Sequence, residues 1–133
     1  MAENSVTTRF IDALGTLESS NDPSQIVSLF AEGAELSSPE VSGRTTSEPQ
    51  QFWEAYRAQF GDVRSEFGTV DDSGRTAVLE WTSQGTLATG RPIKYAGVSL
   101  LTVDDDKVSR FATYYDTAAF VAPDAAATPD SSS

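Results

Sequence analysis

The sequence predicts a single α+β domain in which three helices precede an antiparallel sheet. In the first half of the chain, apolar residues recur at helical spacing, whereas after Gly61 they follow the alternation typical of strands. Turn-forming residues separate the alternating segments, which indicates consecutive hairpins. A chain of 133 residues is long enough to bury one core without the help of disulfides or metals.

The first 40 residues of the chain carry two helix signals and one strand signal. Residues 5–18 form an amphipathic pattern whose apolar side chains return every three or four positions. Asp22 followed by proline is typical of a helix start, so a second, short helix is predicted there, ending at Gly33. A short strand is predicted over residues 34–38.

The third helix follows a predicted loop at residues 43–46, with Ser47 as its cap and Gly61 as its stop signal. Its inner face consists of aromatic residues, namely Phe52, Trp53, Tyr56 and Phe60. Strands are predicted over residues 62–70, 75–86, 91–103 and 107–115. The predicted domain covers residues 1–121, because residues 122–133 form an acidic Ala/Pro/Ser tail with little to bury and are expected to be disordered.

The composition excludes several kinds of chemistry and of partner. The chain has no cysteine and no histidine, which removes the thiolate nucleophile, the commonest general base and the commonest metal ligands. We expect no cofactor and no metal, and we interpret the acidic run Asp104 to Asp106 as a solvated turn. A net charge of −11 repels nucleic acids and anionic membranes. No signal peptide or membrane span is evident, so a cytoplasmic protein is expected.

Several segments together are similar to one known family. They are RFIDAL in the first helix, SLFAEGAEL, QQFWEAYRAQF in the third helix, and the closing RFATYYDTAAF. With these segments in this order along the chain, residues 6–121 resemble the SnoaL-like subgroup of the nuclear-transport-factor-2-like superfamily. The resemblance implies a cone-shaped, strongly curved sheet wrapped by three helices around one pocket. It leaves the activity open, since this scaffold hosts isomerases, cyclases, dehydratases, epoxide hydrolases and binding subunits.

The catalytic residues of two well-known relatives do not carry over. Ketosteroid-isomerase-like members have a tyrosine in the first helix, a base aspartate before a proline and a protonated aspartate on a late strand. Here the matching positions hold Phe10, Ser38, and Ala96 or Gly97. Limonene-epoxide-hydrolase-like members use an arginine, two aspartates, a tyrosine and an asparagine. Here those positions hold Glu80, Thr82, Thr113, Leu36 and Ser38.

Comparison with the epoxide-hydrolase relatives implies that even-numbered residues of the middle strand face the pocket. Glu80 is then the candidate catalytic acid or base, because a desolvated carboxylate can exchange a proton near neutral pH. Its structural alternative is a pairing with Lys94, Arg91 or a tyrosine hydroxyl, which would merely satisfy a buried polar group. Tyr95 and Tyr115 are candidate catalytic hydrogen-bond donors to a substrate carbonyl, or simply amphipathic pocket wall.

The predicted pocket takes a small apolar organic molecule. Its predicted lining consists of Leu14, Leu36, Ser38, Trp53, Tyr56, Val78, Thr82, Gln84, Ile93, Phe111, Thr113 and Phe120. Two functions stay open: a cofactor-independent cyclase, isomerase, dehydratase or hydrolase, and a non-catalytic ligand-binding or dimer-forming module. A homodimer is expected through the convex sheet face, where Leu79 and Trp81 would otherwise be exposed.

Overall fold

The computed structural model describes residues 5–39 and 46–120. The helices are α1 (Val6–Ser20), α2 (Ser24–Val27) and α3 (Pro49–Ala58). The strands are β1 (Phe30–Ser37), β2 (Phe60–Asp72), β3 (Thr76–Leu87), β4 (Pro92–Asp104) and β5 (Lys107–Tyr115), and a 3₁₀ helix, Thr117–Phe120, follows them. The predicted α+β class and the order of its elements are confirmed. The predicted tail and the loop positions 43–45 lie outside the described residues.

The five strands form one sheet in the order β1-β5-β4-β3-β2. β2 to β5 are joined by hairpins and are antiparallel, whereas β1 pairs with β5 in parallel. The sheet is therefore mixed rather than antiparallel throughout, because a hairpin does not connect β1 to its neighbour and so does not fix its direction. Gly33 does not end α2, as the sequence predicted. It adopts φ +78° inside β1, within the segment where the pairing register shifts.

One apolar core joins α1 to the concave face of the sheet. The buried side chains of α1 include Phe10, Leu14 and Leu17, and they pack in the same cluster as Leu79 and Leu101 from the sheet. The helix is capped at its start by the hydroxyl oxygen of its N-cap serine and ends in a left-handed asparagine. The apolar residues whose spacing predicted α1 are thus the residues that pack the helix against the sheet.

The inner face of β3 is the odd-numbered one. Leu79, Trp81 and Ser83 are buried, while the even-numbered residues between them are exposed. In the β3–β4 pairing, Trp81 lies opposite Gly97 and Ser83 lies opposite Tyr95. Directly opposite residues share a face of the sheet. Because Tyr95 of β4 is buried, Ser83 and the other odd-numbered residues of β3 lie on the same inner face. The predicted inward orientation of the even-numbered residues was wrong, and so was the predicted outward orientation of Leu79 and Trp81.

Candidate functional site

A cavity of about 620 Å³ lies between the concave face of the sheet and the helices α1 and α3. Its walls are mainly aromatic, and they include Phe52, Trp53, Phe67, Trp81, Tyr95 and Tyr115. Polar lining side chains are serines, threonines and glutamines. Among the lining residues within 5–39 and 46–120, none carries a charge. The cavity therefore offers ring faces and neutral hydrogen-bonding groups.

The aromatic walls are held in place by contacts between the rings. Trp53 packs edge-on against Phe52 at a centroid distance of 5.0 Å and lies 5.1 Å from Phe111. On the opposite side, Tyr95 contacts Trp81 and Tyr115, each at 5.3 Å and nearly edge to face. Such pairs add stabilisation beyond the area they bury and restrict the movement of each ring. The cavity is thus bounded by two preformed aromatic groups.

A buried carboxylate lies behind the cavity wall. Glu18, in the last turn of α1, is 6% exposed. Its Oε2 accepts hydrogen bonds from the Tyr56 hydroxyl at 2.7 Å and the Ser65 hydroxyl at 2.6 Å, and its Oε1 accepts from the Ser65 N–H at 2.9 Å. The ion pair found among the described residues, Arg9 with Asp106, does not involve it. Within the described part of the chain, the Glu18 carboxylate is thus buried and held by hydrogen bonds rather than by an ion pair.

This position is electrostatically unfavourable for an acid. The C-terminal end of a helix carries partial negative charge, and α1 has no basic residue in its last turn. The same carboxylate affects its neighbour: burial, followed by the charge of Glu18, raises the pKa of Tyr56 well above its ordinary value of 10.0. Tyr56 therefore stays a neutral hydrogen-bond donor over the physiological pH range.

The hydrogen-bond network extends from Glu18 to the cavity. The Ser65 hydroxyl lies 2.6 Å from the hydroxyl of Ser83, which is 1% exposed, and both serines line the cavity. A second polar group lies farther along the sheet, where the Trp81 indole N–H donates to Ser99 Oγ at 2.9 Å. Ser99 Oγ is in turn 2.8 Å from Thr113 Oγ1. These two networks thus place hydrogen-bonding groups at two separate positions on the sheet side of the cavity.

The structure places some of the predicted site residues on the cavity wall and others elsewhere. On the wall are Tyr95, Tyr115, Leu14, Ser38, Trp53, Tyr56, Phe111 and Thr113. Leu36 is fully buried in the apolar core described above. Ile93 belongs to a second cluster of buried apolar residues, and Phe120 packs against that cluster. None of these three lines the cavity.

The catalytic assignment of Glu80 is contradicted by the structure. Glu80 is exposed on the outer face of β3, as are Val78, Thr82 and Gln84, and Gln84 lines a shallow groove on that side. The cause is the β3–β4 register, which places the odd-numbered residues inside. Sequence reasoning missed Glu18, Ser65 and Ser83 instead. For Glu18 a signal was present, because it follows Phe10 and Leu14 at the spacing of their apolar helical stripe.

The curved sheet, the covering helices and the enclosed pocket define a nuclear-transport-factor-2-like protein. The profile of the SnoaL-like domain family matches residues 7–111, and the chain belongs to that family. Among curated proteins, none matches this chain in sequence. Within the described residues, no helix is long and apolar enough to cross a membrane.

Solved structures with little sequence identity share the fold. A nuclear-transport-factor-2-like protein from Anabaena variabilis is 14% identical, with a TM-score of 0.75 over 84% of this chain and 87% of that one. TerC, co-crystallised with polyporic acid, is 19% identical, with a TM-score of 0.70 over 86% and 92%. An epoxide hydrolase of the LEH-like type from M. tuberculosis is 12% identical, with a TM-score of 0.65 over 86% of each chain. At these identities the likeness concerns the fold alone.

Proposed function

We propose that this chain binds a planar, uncharged and mostly apolar ring compound in its cavity. The observation that carries the proposal is the composition of the lining, where aromatic rings predominate and no described residue is charged. Aromatic faces and edges favour stacked or edge-on contacts with other rings. A volume of about 620 Å³ falls within the range of small-molecule pockets.

The neutral lining argues against a charged ligand. An ion that enters such a cavity loses its hydration, and no charged side chain among the described lining residues compensates for the loss. The fold itself is compatible with a small ligand, since the similar protein TerC was co-crystallised with polyporic acid. Neutral ring compounds are therefore the class to test first.

A cofactor-independent enzyme is the second candidate, and Glu18 favours it. A carboxylate that is buried, lacks a cation among the described residues and connects to a cavity hydroxyl resembles the groups that acid–base catalysts use. The similar structure from M. tuberculosis is an epoxide hydrolase, which shows that the scaffold can support catalysis in another protein. The binding function requires only the cavity, whereas the enzyme also requires a chemical change in the ligand.

We expect fluorene, a neutral three-ring hydrocarbon, to bind with a dissociation constant on the order of micromolar. The chain contains two tryptophans, Trp53 and Trp81, and both line the cavity, so intrinsic fluorescence reports its occupation. The matched control ligand is fluorene carboxylate, which adds one charge to the same skeleton. It should bind at least about tenfold more weakly, because its charge would lose hydration without a partner.

Two results would contradict the binding proposal: no saturable quenching by fluorene, or equal affinity for fluorene and its carboxylate. Mass spectrometry of the ring compounds recovered after incubation separates the two candidate functions. An unchanged mass supports the binding function. A changed mass that also requires the folded protein supports the enzyme.

We also propose a homodimer through the outer face of the sheet, although not through the residues that the sequence suggested. Tyr114 is 53% exposed and Val78 is 39% exposed. Val98 lies opposite both Tyr114 and Glu80 in the sheet, so these side chains share that face.

Sedimentation should give a dimer at about tens of micromolar, and Tyr114→Glu should give a monomer. A monomeric wild-type protein at that concentration would refute the dimer.

A further inference from the structure

The hydrogen bonds around Glu18 have a fixed direction. Both hydroxyls that touch Glu18 Oε2, those of Tyr56 and Ser65, donate to it, and the carboxylate oxygen accepts. Ser65 has one hydroxyl hydrogen, and that hydrogen is used by Glu18. In the contact of 2.6 Å between Ser65 and Ser83, Ser83 is therefore the donor.

This direction determines what Ser83 offers to the cavity. Its single hydroxyl hydrogen points to Ser65, so the groups it has left are the lone pairs of its oxygen. Ser83 lines the cavity and is otherwise enclosed by protein. A carbonyl oxygen of a ligand placed beside Ser83 would face lone pairs and stay unsatisfied, which is costly. A hydroxyl hydrogen of a ligand in the same place would find an acceptor.

We propose that the ligand presents a hydroxyl or N–H donor to Ser83 Oγ, and that Glu18 sets this preference through Ser65. The inference rests on the proposed binding function and names its ligand class, which is a hydroxylated or N–H-bearing neutral ring compound. Glu18 does not touch the ligand in this arrangement. It is a positioning residue that fixes the orientation of two hydroxyl groups.

The variant Glu18→Gln should reverse the direction of the network. The Ser65 N–H can only donate, so the amide oxygen of the glutamine takes the place of Oε1. The amide nitrogen then replaces Oε2, and its two N–H groups donate to the hydroxyl oxygens of Tyr56 and Ser65. The Ser65 hydroxyl can then donate to Ser83. The hydroxyl hydrogen of Ser83, which points to Ser65 in the wild type, is released and can point into the cavity. The variant would thus offer a donor where the wild type offers an acceptor.

The test compares three ligands with one ring skeleton: fluorene, its alcohol fluorenol and its ketone fluorenone. The alcohol can donate and accept, the ketone can only accept, and the hydrocarbon does neither. In the wild type, fluorenol should bind about fivefold to tenfold more tightly than fluorenone, which corresponds to one net hydrogen bond. In Glu18→Gln, fluorenone should gain affinity until the two constants are about equal, while fluorene is unchanged.

Two further variants keep the inference open to refutation. Ser83→Ala removes the group that meets the ligand, so fluorenol should lose its advantage over fluorenone in that variant. Glu80→Gln makes the same chemical change on the exposed outer face and should leave the ratio at its wild-type value. Equal binding of fluorenol and fluorenone to the wild type, or an unchanged ratio in Glu18→Gln or Ser83→Ala, would overturn the inference. If fluorene and both derivatives fail to bind the wild type, the proposed function fails and this inference fails with it.

Discussion

Replacing Glu18 by alanine is expected to lower the free energy of unfolding by about 2–4 kcal/mol, because each buried donor left without an acceptor costs about 1–3 kcal/mol. The Tyr56 hydroxyl and the Ser65 N–H both lose their acceptor, while the Ser65 hydroxyl can turn to Ser83. Part of the loss is offset, since removing an acid from the end of a helix gains about 0.3–1 kcal/mol. Urea unfolding at neutral pH measures the difference.

The control is the isosteric variant Glu18→Gln, which keeps the hydrogen bond from the Ser65 N–H and reverses the two hydrogen bonds to the hydroxyls of Tyr56 and Ser65. Its free energy of unfolding should stay within about 1 kcal/mol of the wild type, because the Ser65 N–H keeps its acceptor and the hydroxyl hydrogen of Tyr56, which lines the cavity, can turn towards that space. Glu80→Gln should change it by less than about 0.5 kcal/mol, as is usual for exposed positions. If the alanine and glutamine variants of residue 18 are equally stable, the hydrogen bonds to Glu18 do not stabilise the fold.

The boundaries of the elements could be predicted from local patterns where one local signal dominates. In α1, the spacing of Phe10, Leu14 and Leu17 indicates both the helix and its buried face. For α2 the apolar run continues past the helix, which ends at Val27, and Phe30 already belongs to β1. A short apolar run fits a helix and a strand equally well, so periodicity alone does not separate the two.

The orientation of β3 agrees with its own apolar pattern and not with the comparison to epoxide-hydrolase relatives. Its odd-numbered positions include Ala77, Leu79 and Trp81, and burying an apolar set is the simplest expectation for a half-buried strand. The β4 residues predicted for the pocket, Ile93 and Tyr95, also have odd numbers, and both are buried. With the β3–β4 register these two strands must agree, so Glu80 could not share the inner face with Tyr95.

The network at the cavity could not be predicted because its partners are remote in sequence. Glu18 and Ser65 are 47 positions apart, and their contact depends on how α1 crosses β2. Nothing in the composition of either segment distinguishes Ser65 or Ser83 from the other serines of the chain. The stripe position of Glu18 indicates burial, but only the folded structure identifies the groups that satisfy its carboxylate.

Replacing Gly97 by alanine is expected to lower both stability and ligand affinity. A Cβ at this position would lie 2.5 Å from the Tyr114 carbonyl oxygen and 2.5 Å from Cζ2 of Trp81. The backbone oxygen is fixed in the sheet, so the Trp81 indole is the group that moves, and the open space beside it is the cavity. Overpacking of this kind costs about 1–3 kcal/mol of unfolding free energy.

The displaced indole should also reduce the affinity for fluorene by about tenfold or more, equivalent to about 1.4 kcal/mol. Tryptophan fluorescence titration and urea unfolding of the same preparation give both quantities. Gly68→Ala is the matched control, because a Cβ there meets nothing closer than the Glu80 carbonyl oxygen at 3.9 Å. Its affinity for fluorene should equal that of the wild type. A Gly97→Ala protein that is destabilised yet binds fluorene normally would mean that the ligand site does not depend on Trp81.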